Sequence, residues 1–149
     1  MIQFERWVCA LAATTILVLQ SGCQTTTTSE EVSMSSAVHY VEIVCGDVDA
    51  QCATFEQVNG WSFGAPVAEM GGARVAEAPD GCLIGVRAPL AEHETPIVRT
   101  YYRVDDIAEA IKKAEAAGAM VAYPPTQQGD SGTWAIYIMG ETQVGLWQD

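Results

Sequence analysis

From Val38 onward, apolar and polar positions follow a regular order. The run V-H-Y-V-E-I-V-C (38–45) is rich in β-branched and aromatic residues and predicts a strand. Asp47 is placed to cap a following helix, in which Val48, Cys52, Phe55 and Val58 share one face. Asn59-Gly60 predicts a left-handed stop. Trp61 and Phe63 open a stretch broken by Gly64, Gly71, Gly72 and Gly81, with short strands at A-R-V-A-E-A (73–78) and C-L-I-G-V-R-A (82–88).

The same order then repeats. I-V-R-T-Y-Y-R-V (97–104) predicts a strand, and Asp106 caps a helix with Glu109 completing a capping box. Ile107, Ala110, Ile111 and Ala114 form the buried stripe of that helix, Glu109 and Lys113 an i,i+4 pair, and Gly118 its end. A-M-V-A-Y (119–123), T-W-A-I-Y-I-M (133–139) and Q-V-G-L-W-Q (143–148) follow as strands. Strand, helix, then three strands, twice over, is an internal duplication. The fold class expected is α+β: two βαβββ modules whose sheets form one cleft, with the helices on the outer faces.

Ahead of this domain the pattern differs. Residues 7–19 form an apolar run shorter than the ~20 residues a spanning helix needs, but of the length of a signal-peptide core. Arg6 precedes it, with Glu5 offsetting its charge, and the run ends in Leu19-Gln20-Ser21-Gly22-Cys23. Small residues before a cysteine resemble the lipobox of bacterial lipoproteins, although Gln20 stands where that motif prefers an aliphatic residue. The resemblance implies a signal peptide over 1–22, cleavage before Cys23 and acylation there. An uncleaved, slightly short membrane anchor is the alternative. Either way the domain is expected in the cell envelope, facing the periplasm or exterior. Residues 23–37, rich in Thr and Ser and without a period, read as a flexible tether, leaving 38–149 as the domain.

Composition narrows the function classes. Hydrophobic residues make up 49% and charged residues 17%, which supports a packed core. A net charge of −12 with no basic run excludes nucleic acid as a partner. Beyond Cys9 and Cys23, the remaining cysteines are Cys45, Cys52 and Cys82, whose spacing fits neither a zinc site nor a C-x-x-C motif. Cys45 and Cys52 can pair in an oxidising compartment, or all three can pack as buried thiols.

The ordered segments V-E-I-V-C-G-D, N-G-W-S-F, G-C-L-I-G-V-R-A-P, Y-Y-R-V-D-D-I-A-E-A-I with E-A-A-G-A, and G-L-W-Q resemble the vicinal-oxygen-chelate superfamily. That superfamily includes glyoxalases, extradiol dioxygenases and bleomycin-resistance proteins. Metal-using members place a histidine on the first strand of each half, seven residues before the capping aspartate, and a glutamate on the last. The resemblance puts those ligands at Tyr40, Arg99, Gly85 and Gly145. Arginine has no lone pair and glycine no side chain, so no metal or other cofactor is expected. His39 is one residue off and should face away from the cleft, unless a slip or bulge turns it. His93 falls in the linker between the halves.

Strand alternation predicts the cleft lining. The first strand presents Tyr40, Glu42 and Val44, the fourth Leu83, Gly85 and Arg87, the fifth Arg99, Tyr101 and Arg103, and the last Gln143, Gly145 and Trp147. The ligand-binding candidates are therefore Tyr40, Glu42, Arg87, Arg99, Tyr101, Arg103 and Trp147. Two readings stay open. The arginines could meet a compact anionic or acceptor-rich ligand, or Glu42 could neutralise them and hold the halves in register. Gln127–Gly132 reads as a loop over the cleft, and no histidine is placed to activate Ser131 or Thr133. The function expected is a lipid-anchored, metal-free small-molecule-binding domain. The alternatives are a metal-independent lyase or isomerase with Glu42 as base, and a structural envelope module. Members of the family often pair, which adds a homodimer to the expectations.

Overall fold

The computed structural model describes residues 37–149, so the expected signal peptide, the acylated Cys23 and nearly all of the tether lie outside the described residues. The chain runs β1 (Val38–Val44), α1 (Val48–Asn59), β2 (Pro66–Val67), β3 (Ala73–Glu77), β4 (Leu83–Arg87), β5 (Ile97–Arg103), α2 (Ile107–Ala116), β6 (Met120–Gln127), β7 (Thr133–Met139) and β8 (Thr142–Gln148). This is the expected α+β order of two βαβββ modules. The strands form one open sheet in the order β2-β3-β4-β1-β5-β8-β7-β6.

The modules join through their first strands. β1 and β5 pair antiparallel, with Tyr40 opposite Tyr101 and Glu42 opposite Arg99. Each first strand also lies parallel to the last strand of its own module. Glu42 stands opposite Gly85 on β4, and Tyr101 opposite Gly145 on β8. These registers gather the cleft-facing residues of four central strands into one place.

Alternation along each strand divides the apolar residues between two faces. Ile84 and Val86 on β4 pack with Cys52 of α1 and with Phe63, and Val41, Ile43 and Phe55 join them. Ala135 and Leu146 pack with Ile107 and Ile111 of α2. The opposite face carries a third cluster, Tyr40, Tyr101, Ile136 and Trp147, and this face forms the cleft. Both helices start on caps of the expected kind. Asp47 accepts from the Ala50 amide at 3.0 Å, and Asp106 from the Glu109 amide at 2.9 Å. Gly60, at φ 71°, ends α1 in the left-handed region that its missing Cβ permits.

Several details depart from the expected pattern. Val58 is 73% exposed, because the buried stripe of α1 stops after two turns. Glu109 approaches Lys112 at 4.0 Å rather than Lys113, and both side chains are largely in water. The first of the three strands after α1 is only Pro66–Val67, since Pro66 has no N–H to extend a ladder and a single 3-10 turn (Ala68–Met70) follows. Cys45, Cys52 and Cys82 are free thiols in and around the α1-side core, and burial raises the pKa of each. Among the described residues no helix is long and apolar enough to cross a membrane.

Candidate functional site

The cleft encloses a cavity of about 530 Å³. Six of the seven expected ligand-binding residues line it: Tyr40, Glu42, Arg87, Arg99, Tyr101 and Trp147. Arg103 is the exception. The β1–β5 register shifts between Val38 and Tyr40, so the strand bulges at His39. The bulge turns His39 onto the indole of Trp147, with ring centroids 4.9 Å apart. Arg103 then donates to His39 Nδ1 at 2.7 Å. Its Nε lies 2.9 Å from the Asp149 carboxylate, close enough for an ion pair but without the alignment of a hydrogen bond. Arg103 is thus tied up at the strand end, and His39 packs on Trp147 without lining the cavity. Burial, then the charge of Arg103, lowers the pKa of His39.

The floor of the cavity is a buried ionic cluster. Glu42, Arg87 and Arg99 are 7%, 5% and 6% exposed. Glu42 Oε1 accepts from Arg87 Nε at 2.6 Å. Its Oε2 accepts from Arg99 Nη1 and from the Tyr101 hydroxyl, the latter at 3.0 Å. Arg99 also donates from Nε and Nη2 to the side-chain oxygen of Gln143. A second carboxylate, Glu94, comes from the linker between the modules. It accepts from Arg87 Nη1 at 2.9 Å and Nη2 at 2.7 Å, the two-pronged geometry of a strong guanidinium–carboxylate pair. Arg87 holds the Glu94 carboxyl down at about 2, and Glu94 in turn raises the guanidinium. The cluster balances two cations against two anions. The reading in which Glu42 neutralises the arginines and ties the halves together therefore describes the arrangement, and neither guanidinium is left free.

Aromatic rings form the walls. A Cβ on Gly85 would collide with the ring and hydroxyl of Tyr40, and one on Gly145 with the ring of Tyr101. Burial, with the charge of Glu42 next, raises the pKa of both phenols well above the usual range, so both stay protonated. Trp134, Ile136 and Ile138 of β7 complete the far wall, with Tyr123 against Trp134 at 5.5 Å. Gln128 of the β6–β7 loop also lines the cavity and donates to the Glu69 carbonyl, the one residue of the expected loop to do so. The indole N–H of Trp147 is buried, with no acceptor among the described residues.

Comparison with solved structures places this architecture. Methylmalonyl-CoA epimerase from Mycobacterium tuberculosis superposes with a TM-score of 0.61 at 18% identity, covering 78% of this chain and 90% of that one. A Streptomyces coelicolor methylmalonyl-CoA epimerase variant, in complex with 2-nitronate-propionyl-CoA, gives 0.56 at 16%, covering 76% and 97%. A hypothetical protein from Bacillus halodurans gives 0.62 at 13%, covering 77% and 95%. The chain has the vicinal-oxygen-chelate fold. No protein-family model matches the sequence, and no curated protein does.

Metal-using members of the superfamily hold a metal at the centre of the cleft, and the residues present here do not fit one. The tyrosine rings fill the space over Gly85 and Gly145, and Arg99 brings a cation where a ligand would stand. No three His, Cys, Asp or Glu side chains converge in metal-binding geometry among the described residues. Sequence reasoning missed Glu94 and the β7 wall. Glu94 lies in a linker without periodicity. The β7 face follows from the alternation already seen in T-W-A-I-Y-I-M, which assigns Trp134, Ile136 and Ile138 to one side.

Proposed function

We propose that this domain binds a small molecule in the cleft without a metal, and that it does so on the outside of a membrane, carried by an acylated Cys23. The observation that carries the binding reading is the cavity itself: about 530 Å³, walled by Tyr40, Tyr101, Tyr123, Trp134 and Trp147 over a charge-balanced floor. Pockets of this size with mostly apolar walls and a few convergent polar groups are the usual form of a ligand site. Such walls suit a flat, largely apolar body. The arginines lend this reading no free clamp, because Arg87 and Arg99 are already paired with Glu42 and Glu94.

The test is a titration of the full-length protein with aromatic antibiotics and small aromatic acids and amides, followed by tryptophan fluorescence and melting temperature. A binder should raise the midpoint by mass action and should lose affinity in Trp134→Ala. A panel that neither quenches fluorescence nor moves the midpoint contradicts the reading.

A second reading, a metal-independent isomerase using Glu42 as base, draws on the epimerases that share the fold. It is weaker. Both oxygens of Glu42 already accept from Arg87, Arg99 and Tyr101, which engages this carboxylate in joining the modules. Turnover of an acyl thioester that disappears in Glu42→Gln, with the fold retained, would restore it.

A further inference from the structure

We infer that the outer edge of the Arg87 guanidinium is a carboxylate-binding subsite, which Glu94 occupies as an exchangeable internal ligand. This rests on the small-molecule reading above and names its ligand class, a monocarboxylate on a flat aromatic body. The two edges of Arg87 are held differently. Nε points to Glu42, a buried residue on the central strand β1. Nη1 and Nη2 present a fork to Glu94, a residue of the linker. Such a fork takes any carboxylate of the same geometry.

Little else holds Glu94 in place. Of the linker residues 88–96, only Pro89 and Glu94 are not exposed. The linker's contacts on Glu94 are local, with the Leu90 amide donating to its Oε2 at 2.7 Å. A segment with so few buried contacts opens at small cost. The exchange is also balanced in charge. One carboxylate leaves the fork for water as another arrives, so the floor keeps two cations and two anions. A free anion added to the closed cluster would instead stand unpaired beside Glu42. The cavity reaches Arg87 and Glu94 together with Tyr40, Tyr101 and Trp134, so an aromatic body can lie on the walls while its carboxylate takes the fork.

Benzoate is the probe, and benzamide its uncharged control. In the full-length protein, Glu94→Gln removes the internal competitor. Because Glu94 fills the fork in nearly all molecules, its removal tightens benzoate by at least about tenfold, a gain that benzamide, with no carboxylate for the fork, does not share. In the wild type, benzoate should speed hydrogen exchange of the Leu90 amide, which loses its acceptor, while slowing exchange in β1 and β5. That measurement needs no variant, so it decides the matter even where Glu94→Gln destabilises the fold. Equal benzoate affinity in both proteins, or a Leu90 amide protected on binding, overturns the exchange and leaves the cavity standing as a binding site. Benzoate bound by neither protein also overturns it, and the wider panel then judges the binding reading alone.

Discussion

The hydroxyl of Tyr40 lies where a side chain on Gly85 would begin. Across the module boundary, the ring of Tyr101 stands in the same relation to Gly145. Two glycines and two tyrosines thus fill the heart of the cleft, and each ring is locked by the backbone it covers. A Gly145→Ala change must therefore displace a buried ring. We expect it to destabilise the fold by ~1–3 kcal/mol, the usual range for overpacking. In a Tyr101→Ala background the same change should cost much less. Chemical denaturation of the four proteins of this cycle checks the coupling, and additive effects would refute it.

Glu42 compensates two buried guanidiniums at once. Glu42→Gln leaves both without that partner, and removing one member of a buried pair costs ~3–5 kcal/mol. Denaturant midpoints compared at constant m-value measure this. A loss below ~1 kcal/mol, the level of an exposed pair, would show that the cluster is not buried in solution.

Acid should act on Glu94. Its carboxyl titrates at about 2 in the folded chain against 4.5 as the ordinary value. A lowered folded pKa stabilises fully above the unfolded value and loses that contribution as pH falls through the folded one. The stability gap between wild type and Glu94→Gln should be constant from pH 7 to about 5, then shrink towards pH 2. A gap that widens on acidification has the wrong sign for an Arg87-paired carboxylate.

His39 predicts a second, higher window. Burial and Arg103 hold its pKa below 6.5, so it packs neutral against Trp147. Protonating it costs stability as pH falls below 6.5 and through the folded value. His39→Gln should flatten the stability profile in that window, as read by thermal unfolding across pH. An unchanged profile would show that Asp149 offsets both the burial and Arg103.

The acylation proposal has its own check. Cys23→Ala should abolish labelling by an alkynyl fatty acid and release the protein from the membrane fraction. Retained labelling would place the lipid elsewhere.

The legible part of the site follows from strand periodicity. Alternation put Tyr40, Glu42, Arg87, Arg99, Tyr101 and Trp147 on one face, because a strand side chain has only two faces to choose from. It failed where periodicity fails. The bulge at His39 breaks the count by one residue, which turns His39 onto Trp147 and gives Arg103 a partner outside the cavity. Glu94 sits in a loop, where the sequence carries no geometric rule. The second partner of Arg87 was hidden for the same reason. The residues at the family's metal positions were legible, since the count from Asp47 and Asp106 puts Tyr40, Gly85, Arg99 and Gly145 there. What fills the space over Gly85 and Gly145, two tyrosine rings, required coordinates.

The most direct test of the proposed metal-free binding is thermal unfolding of the full-length protein with EDTA, zinc or manganese, alongside the aromatic panel. The account predicts a midpoint indifferent to metals and chelator and raised by at least one aromatic ligand. A midpoint raised strongly by a metal and lowered again by EDTA would contradict it, and would mean that the tyrosine rings yield the centre of the cleft to an ion.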